Sequence, residues 1–209
     1  MFSEIVEAKV NLLEYTPDLH EIPGQIQITL ERPKEFDDIK VGDSIAVNGI
    51  CLTVESFTEN SMQFTLGAET IKVAGFTEAE LRNQKLNVER SLRFNDRIHG
   101  HIVTGHVDGM GLIQTVLEKS GCKILQVFLP NALLPYVWKK GSICLNGVSL
   151  TVNEVHDHLA EVCLVPETLR RTNFSDIRAG ARITVEADQL ARGISRMLNM
   201  EKVGHELNN

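Results

Sequence analysis

A twelve-residue stretch occurs twice in this chain, and the repeat constrains the fold more than any other feature. Residues 43–54 read DSIAVNGICLTV, and residues 141–152 read GSICLNGVSLTV. Aligned without a gap, the two stretches share seven of twelve residues at an offset of 98, close to half of the 209-residue chain. A repeat of this size indicates two copies of one small domain rather than a single large one.

Each copy of the repeat predicts a β-hairpin. Asn-Gly between two apolar runs is typical of a type I′ turn, in which both central residues have positive φ. In the strand after the turn, alternate side chains point to opposite faces, and the apolar set should fill a barrel. The other face carries Cys51 and Thr53 in the first copy, and Ser149 and Thr151 in the second. These polar pairs either belong to a site or are ordinary residues of two duplicated hairpins.

Composition excludes several classes of protein. The net charge is −7 and no basic block occurs, which argues against nucleic-acid binding. No apolar run approaches the roughly 20 residues of a membrane span, and the first residues lack a signal-peptide pattern. The four cysteines form neither a CxxC pair nor a metal-ligand spacing. We therefore expect a cytoplasmic protein with reduced thiols and no metal site.

Apolar alternation and turn residues predict an all-β protein of two tandem six-stranded Greek-key β-barrels, over residues 1–98 and 99–188. Predicted strands cover residues 2–14, 26–30, 61–66, 86–90, 124–129, 159–165 and 183–186, besides the two hairpins. Residues 15–24 are predicted to form a loop. Residues 33–39 are a candidate helical turn. Helices are predicted over residues 77–82 and 131–138, the first capped by Thr77.

A last segment has no counterpart in the first copy. Leu190, Ile194, Met197 and Leu198 lie at helical spacing, which predicts a C-terminal helix over about residues 189–203, with a disordered tail at 204–209. Its apolar face either packs on the barrels or mediates self-association. We favour self-association, because two complete barrels leave the helix no core of its own to cover.

Five motifs together resemble the riboflavin synthase alpha-chain family. They are MF-x-x-IVE at the start, NG-x-CLTV, GHIVTGHVDG, NGVSLTV and PETL-x-RT, and their order and spacing are kept over about residues 1–190. The resemblance implies a homotrimer that converts two 6,7-dimethyl-8-ribityllumazine molecules into riboflavin and a pyrimidinedione, without cofactor or metal. It also implies that each site forms between barrels of neighbouring subunits, and it admits lumazine synthase as a further partner.

Four residues carry the chemistry that the resemblance implies. Cys51 becomes a candidate nucleophile or proton relay, and His106 a candidate acid–base group, since an unperturbed histidine titrates at about pH 6.5. Ser149 and Thr151 would bind the pteridine ring or position a nucleophile. The alternatives are a small buried thiol, a structural histidine and plain strand residues. His101, five residues before His106, is expected to face elsewhere and support the fold.

The resemblance further implies a substrate-binding set. Phe2 and residues 4–6 would lie against the first pocket, residues 65–70 and 164–169 would line the two pockets, and Lys140 would reach the ribityl hydroxyls. Ser44 could be only a strand residue, Asp188 only a helix N-cap, and the Glu-Thr pairs only turns. The full set is Phe2, Glu4, Ile5, Val6, Ser44, Leu52, Thr53, Thr65, Leu66, Gly67, Ala68, Glu69, Thr70, Gly105, Val107, Lys140, Leu150, Leu164, Val165, Pro166, Glu167, Thr168, Leu169 and Asp188.

Glu4 is the departure from the family pattern that bears on the site. The family opens MFTGI, whereas this chain opens MFSEI, and its second copy keeps the glycine as Gly105. If Glu4 needs positive φ, the backbone strain costs about 1–2 kcal/mol. Two rival functions remain: a non-catalytic lumazine- or flavin-binding antenna protein, and a pure interaction module. Antenna relatives typically lose the cysteine and histidine, so the presence of Cys51 and His106 favours an enzyme.

Overall fold

The computed structural model describes residues 1–17 and 24–206, and it has the predicted all-β architecture of two tandem barrels. The second barrel is closed and six-stranded. Its strands are β9 (Gly109–Lys119), β10 (Cys122–Phe128), β11 (Ser142–Leu145), β12 (Val148–His156), β13 (Leu159–Leu164) and β14 (Arg182–Ala187). Their order around the barrel is β10-β13-β12-β11-β14-β9. All neighbouring strands are antiparallel.

The first barrel follows the same plan with two of its strands interrupted. Its strands are β1 (Ala8–Val10), β2 (Leu12–Pro17), β3 (Ile26–Glu31), β4 (Ser44–Val47), β5 (Ile50–Thr53), β6 (Ser56–Phe57), β7 (Ser61–Leu66) and β8 (Leu86–Arg90). They form two four-stranded sheets, β1-β8-β4-β5 and β2-β3-β7-β6, around one core. The pair β1 and β2 corresponds to β9, and the pair β5 and β6 corresponds to β12.

The described residues also form four α-helices and two 3-10 helices. The α-helices are α1 (Ala68–Ala74), α2 (Glu78–Arg82), α3 (Pro166–Arg171) and α4 (Gln189–Glu206). Helix α2 begins as predicted, because the Thr77 side chain and Glu80 form a reciprocal capping box. The predicted helix at 131–138 is a 3-10 helix, Asn131–Tyr136, and a second 3-10 helix covers Asn173–Asp176.

Several predicted elements are wrong in their limits or were missed. The strand predicted over residues 2–14 begins only at Ala8, and Phe2 forms an isolated bridge. The predicted loop at 15–24 is wrong for residues 15–17, which continue β2; its residues 18–23 lie outside the described residues. Residues 33–39 form turns without a helix. Helices α1 and α3 stand where only pocket-lining segments were expected.

The two Asn-Gly turns meet between the barrels. Both residues of each turn have positive φ, 46° and 80° at Asn48 and Gly49, and 47° and 72° at Asn146 and Gly147. This confirms the predicted turn geometry. A Cβ at Gly49 would lie only 2.9 Å from the Gly147 nitrogen. The turns therefore approach so closely that glycine is required at both positions.

A pseudo-symmetric hydrogen-bond network surrounds the paired turns. The Oδ1 atoms of Asn48 and Asn146 accept the main-chain N–H groups of Asn87 and Thr184, each at 2.9 Å. Asn87 Nδ2 donates to the Asn146 carbonyl at 2.8 Å, and Thr184 Oγ1 donates to the Asn48 carbonyl. Asn173 joins the network by donating to Asn48 Oδ1 at 3.1 Å. These buried hydrogen bonds cross the barrel boundary and fix the relative position of the two barrels.

The opening segments of the two copies cross over to the opposite barrel. Phe2 and Val103 exchange main-chain hydrogen bonds of 3.0 and 3.2 Å, so the segments meet at the boundary. Beyond this bridge, Val6 is buried in the core of the second barrel, while Val107 packs against the core of the first. The expectation that residues 4–6 lie against the first pocket is therefore wrong, because the crossing carries them to the second barrel.

Helix α4 is joined to the second barrel near its beginning. Arg192 forms an ion pair of 2.6 Å with Asp108, and Asp108 also accepts the Ala187 N–H at 2.8 Å. The apolar residues at helical spacing remain uncovered: each is more than half exposed, and they are Leu190, Ile194, Met197 and Leu198. The barrels of the same chain therefore do not bury this face. The helix extends three residues past its predicted end, and residues 207–209 lie outside the described residues.

Candidate active site

A cavity of about 260 Å³ opens on the first barrel. It lies where β5, helix α1 and the crossing segment of the second copy meet. The lining residues are Ile50, Cys51, Glu69, Thr70, Val73, Ala74, Gly105, His106 and Val107. Six of these nine belong to the predicted site: Cys51, Glu69, Thr70, Gly105, His106 and Val107. Elements distant in sequence thus bring the strongest predicted candidates to one place.

Cys51 lies on the polar face of β5, as the alternation predicted. Leu52 beside it is buried, Cys51 is half-buried and Thr53 is exposed. The Cys51 N–H donates to the Gly105 carbonyl at 2.9 Å. Gly105 has φ 77°, and a Cβ there would lie 2.6 Å from the Cys51 Cβ. Glycine is therefore required at position 105 for the crossing segment to pass next to the thiol.

His106 follows Gly105 directly and is exposed at the edge of the same cavity. The next residue, Val107, packs against the core of the first barrel. This contact anchors the segment and holds the His106 imidazole at the cavity. An imidazole at the edge of a ligand-sized cavity has the chemistry of a general base. The cavity is thus lined by a thiol and an imidazole, two groups whose chemistry allows nucleophilic attack and proton transfer.

The second barrel carries a related face around Ser149, which occupies the position of Cys51. The Ser149 N–H donates to the Glu4 carbonyl at 2.9 Å, as the Cys51 N–H does to Gly105. Ser149 Oγ lies 2.7 Å from His101 Nδ1. His101 faces away from the His106 cavity, as expected, but it contacts a predicted site residue, because the segment joining the barrels passes over the second face. Burial is the main cause that lowers the pKa of His101, so its imidazole is neutral at pH 7.

The remaining predicted residues are arranged similarly in the two copies. Leu52, Leu66, Leu150 and Leu164 are buried in the cores, which leaves only their main chains available to a ligand. Gly67 and Val165 are the N-caps of α1 and α3. Those two helices contain further predicted residues, which are Ala68, Glu69, Thr70, Pro166, Glu167, Thr168 and Leu169. Thr151, Val165 and Ile5 are exposed at the second face.

Other predicted residues have structural partners of their own. Asp188 Oδ1 accepts the Leu190 N–H at 2.9 Å, which is the N-cap contact of α4. Thr65 Oγ1 donates to Glu55 at 2.9 Å. Lys140 has φ 68° in the turn before β11 and is exposed. Ser44 pairs with Thr53 across the first hairpin and lines a separate groove with Arg90.

Glu4 is fully buried, with φ 58°. Its side chain enters the barrel boundary, where Cys144 Sγ donates to Oε2 at 2.9 Å. Desolvation is the largest cause that raises the pKa of Glu4 to about 8. Residue Glu89 has a pKa raised to about 7, again chiefly by burial. Neutral and ionised carboxyl groups can therefore both exist here near pH 7.

Sequence reasoning missed four residues of the two faces. Ile50, Val73 and Ala74 line the first cavity, and His101 contacts Ser149. Recognising α1 as a helix would have identified Val73 and Ala74, since they lie one turn after Glu69 and Thr70. No sequence signal pointed to His101, because its contact depends on the path of the connecting segment.

Within residues 1–17 and 24–206, no three His, Cys, Asp or Glu side chains are grouped so that they could hold a metal ion. In the same part of the chain, no helix is long and apolar enough to cross a membrane. Cys51, Cys122, Cys144 and Cys163 are free thiols.

The chain is similar to known proteins in both sequence and fold. The family described as the lumazine binding domain matches twice, over residues 4–91 and 104–188. Riboflavin synthase from Bacillus subtilis is 36% identical over 172 residues, covering 82% of this chain and 80% of the relative. Riboflavin synthase from Photobacterium phosphoreum is 34% identical over 203 residues, covering 97% and 91%.

Solved structures of LumP show a similar fold. LumP complexed with riboflavin superimposes with a TM-score of 0.81 at 21% identity, covering 90% of this chain and 99% of LumP. LumP complexed with 6,7-dimethyl-8-(1'-D-ribityl) lumazine gives a TM-score of 0.79. Two tandem barrels, each matched by the lumazine binding domain, define the class of this protein. The chain belongs to the lumazine-binding domain family and, within it, to the riboflavin synthases, which are enzymes.

Proposed function

We propose that this chain is a riboflavin synthase that converts two molecules of 6,7-dimethyl-8-ribityllumazine into riboflavin and 5-amino-6-ribitylamino-pyrimidinedione. One lumazine gives a four-carbon unit to the other. The observation that carries the proposal is the cavity in which Cys51, His106 and Gly105 meet helix α1. The two products together contain every atom of the two substrates, so the reaction needs neither an oxidant nor a reductant, and we propose no cofactor or metal.

The duplicated fold suits a reaction between two identical molecules. The first barrel offers the Cys51 face and the second barrel the Ser149 face, each built on a hairpin, a short helix and a crossing segment. We propose units 1–98 and 99–188 as the two lumazine-binding domains. Holding both substrates in the reacting orientation can supply about 7–11 kcal/mol of the barrier. Few catalytic groups are then needed.

In the proposed mechanism, His106 removes a proton from the 7-methyl group of one lumazine, whose ring delocalises the resulting anion. Cys51, Ser149 and Thr151 then hold or relay protons at the two rings. Main-chain groups of residues 65–70 and 164–169 bind the heterocycles. The remaining predicted residues near each face bind the ring and ribityl groups. The neutral state of His101 suits it to orient the Ser149 hydroxyl at the second ring.

Assembly is the second part of the proposal. The uncovered face of α4 supports a homotrimer in which helices of neighbouring subunits pack together. The Cys51 face of one subunit would then meet the Ser149 face of the next. We place this trimer in the cytoplasm. Association with lumazine synthase is tested by gel filtration of the two purified proteins together.

The test is to incubate the purified protein with 6,7-dimethyl-8-ribityllumazine alone, in the presence of a chelator, and to follow flavin absorbance. Riboflavin should appear at half the rate at which lumazine disappears. Tight binding of lumazine without any flavin would contradict the proposal and would identify a non-catalytic antenna protein. Absence of both binding and turnover would indicate an interaction module.

A further inference from the structure

Glu4 breaks the pseudo-symmetry of the barrel boundary. The equivalent residue in the second copy is Gly105, and both positions have left-handed backbone conformations. A non-glycine residue is strained there, and this one is also an acid with no exposed surface. Its partner Cys144 is equally buried, and the residue equivalent to Cys144 in the first copy is Ala46. The pair Glu4 and Cys144 therefore replaces the smaller pair Gly105 and Ala46.

The surroundings of Glu4 favour a neutral carboxyl group. The thiol of Cys144 on β11 donates to Oε2, and no protein group donates to Oε1 among the described residues. The other titratable groups facing it are acids, Glu89 on β8 and Glu186 on β14. Arg192 on α4 forms its ion pairs with Asp108 at 2.6 Å and with Glu186 at 3.8 Å, not with Glu4. A buried carboxylate with a single weak donor and like-charged neighbours is strongly disfavoured.

Glu4 is also connected to the second face. Its main-chain carbonyl accepts the Ser149 N–H at 2.9 Å, and Ser149 Oγ lies 2.7 Å from His101. The side chain of the same residue is held between the barrels by Cys144. If Glu4 moves away from Cys144, its main-chain hydrogen bond to Ser149 moves with it. The Ser149 side chain then changes its place at the second face.

We propose that Glu4 is a pH-dependent positioning residue, whose protonated carboxyl group joins the barrels beneath Ser149 and whose ionisation in alkaline solution loosens this contact. The consequence for turnover rests on the proposed function, whereas the consequence for stability does not. Because the native carboxyl group holds its proton to about pH 8 and the unfolded one only to about pH 4.5, native stability relative to a non-titrating variant falls as the pH rises through this window.

The experiment compares the wild type with Glu4→Gln, which keeps the shape of the side chain and cannot ionise. The unfolding midpoint of the wild type should fall relative to that of Glu4→Gln by about 5–10 °C between pH 6 and pH 9. Glu89 and Glu186 are present in both proteins, so this difference measures the ionisation of Glu4 together with its electrostatic coupling to these two acids. An equal pH dependence of the two midpoints would overturn the proposal.

A second comparison covers the possibility that Glu4→Gln folds poorly. Glu4→Gly combined with Cys144→Ala installs the residue pair that the chain already uses around Gly105 and Ala46, and it should also lose the pH dependence. Turnover of lumazine is then measured at pH 7 and pH 9 in each protein. The ratio of kcat/KM at pH 9 to that at pH 7 should be at least threefold lower in the wild type than in the variants.

The two readouts separate the proposals. Equal ratios in an active enzyme would contradict the positioning role of Glu4. A protein without turnover at either pH would contradict the proposed function, and the pH dependence of the unfolding midpoint would still decide the role of Glu4.

Discussion

At the scale of single residues, the central strand residue of the two faces differs in one atom, sulfur in Cys51 and oxygen in Ser149. Cys51 and Ser149 occupy equivalent strand positions, and each donates its main-chain N–H to the crossing segment of the other copy at 2.9 Å. A thiol ionises near pH 8.5 in general, whereas an alcohol remains neutral. The two faces therefore share their main-chain arrangement and differ in chemistry, which suits a reaction in which one substrate donates and the other accepts.

Replacing Cys51 by serine gives the first face the side chain of the second. We expect kcat to fall at least tenfold, because the thiol is lost as a nucleophile or proton relay, while lumazine affinity and the unfolding midpoint change little. Steady-state kinetics, fluorescence titration with lumazine and thermal unfolding measure these quantities. The matched control is Cys163→Ser, since Cys163 lies on β13 away from the cavity. An unchanged kcat in Cys51→Ser would remove the thiol from the mechanism.

The position of a side chain could be predicted from the sequence where its contacts are with residues nearby in the chain. The alternation along β5 was enough to place Cys51 on the outer face beside a buried Leu52. The burial and the hydrogen-bond partner of the Glu4 side chain could not be predicted, because that partner, Cys144, is 140 residues away in the chain. The contact of His101 with Ser149 was missed for the same reason.

At the scale of elements, the two Asn-Gly turns determine how the barrels meet. Gly42 offers a comparison, since it also has positive φ, 94°, but a Cβ there would meet nothing within 4 Å. Lys140 shows that a side chain fits the equivalent turn of the second copy. Gly49 has both the unusual backbone conformation and the close neighbour.

Gly49→Ala should therefore destabilise the protein more than Gly42→Ala. We expect Gly42→Ala to cost about 1–2 kcal/mol from backbone strain alone. Gly49→Ala adds the displacement of a backbone nitrogen 2.9 Å away, and should cost at least 2 kcal/mol more, as overpacking in a close contact does. Urea unfolding followed by tryptophan fluorescence measures both changes. Equal losses would show that the two turns do not need their close approach.

Elements were predictable where the pattern within them was long enough. The paired hairpins and the capped helix α2 follow from local signals and agree with the structure. Helices α1 and α3 have only seven and six residues and lack side-chain caps at Gly67 and Val165. Neither apolar periodicity nor a capping motif could therefore reveal them. The crossing of the opening segments is also not a local property, so residues 4–6, assigned to the first pocket from the resemblance, lie at the other barrel.

At the scale of the whole molecule, the structure separates the contacts that join the barrels from those left for other subunits. The barrel boundary is closed by buried asparagines and by the paired turns. Helix α4 instead keeps its apolar residues exposed beyond the Arg192–Asp108 ion pair. Exposed apolar residues aligned on one helix are typical of a protein interface.

The last prediction tests whether this face completes the enzyme. Ile194→Asp with Leu198→Asp places two charges in the proposed helix interface, and should convert the trimer to monomers in analytical ultracentrifugation. Turnover should fall at least a hundredfold, because each proposed site needs faces from two subunits. Binding of lumazine to the single Cys51 face should persist. The control is Gly193→Ala on the same helix, where a Cβ meets nothing within 4 Å and alanine favours the helix by about 1 kcal/mol. A fully active monomer would contradict this prediction, because it would show that one chain brings both substrates together by itself. The reaction would then have to take place between the two faces of a single chain.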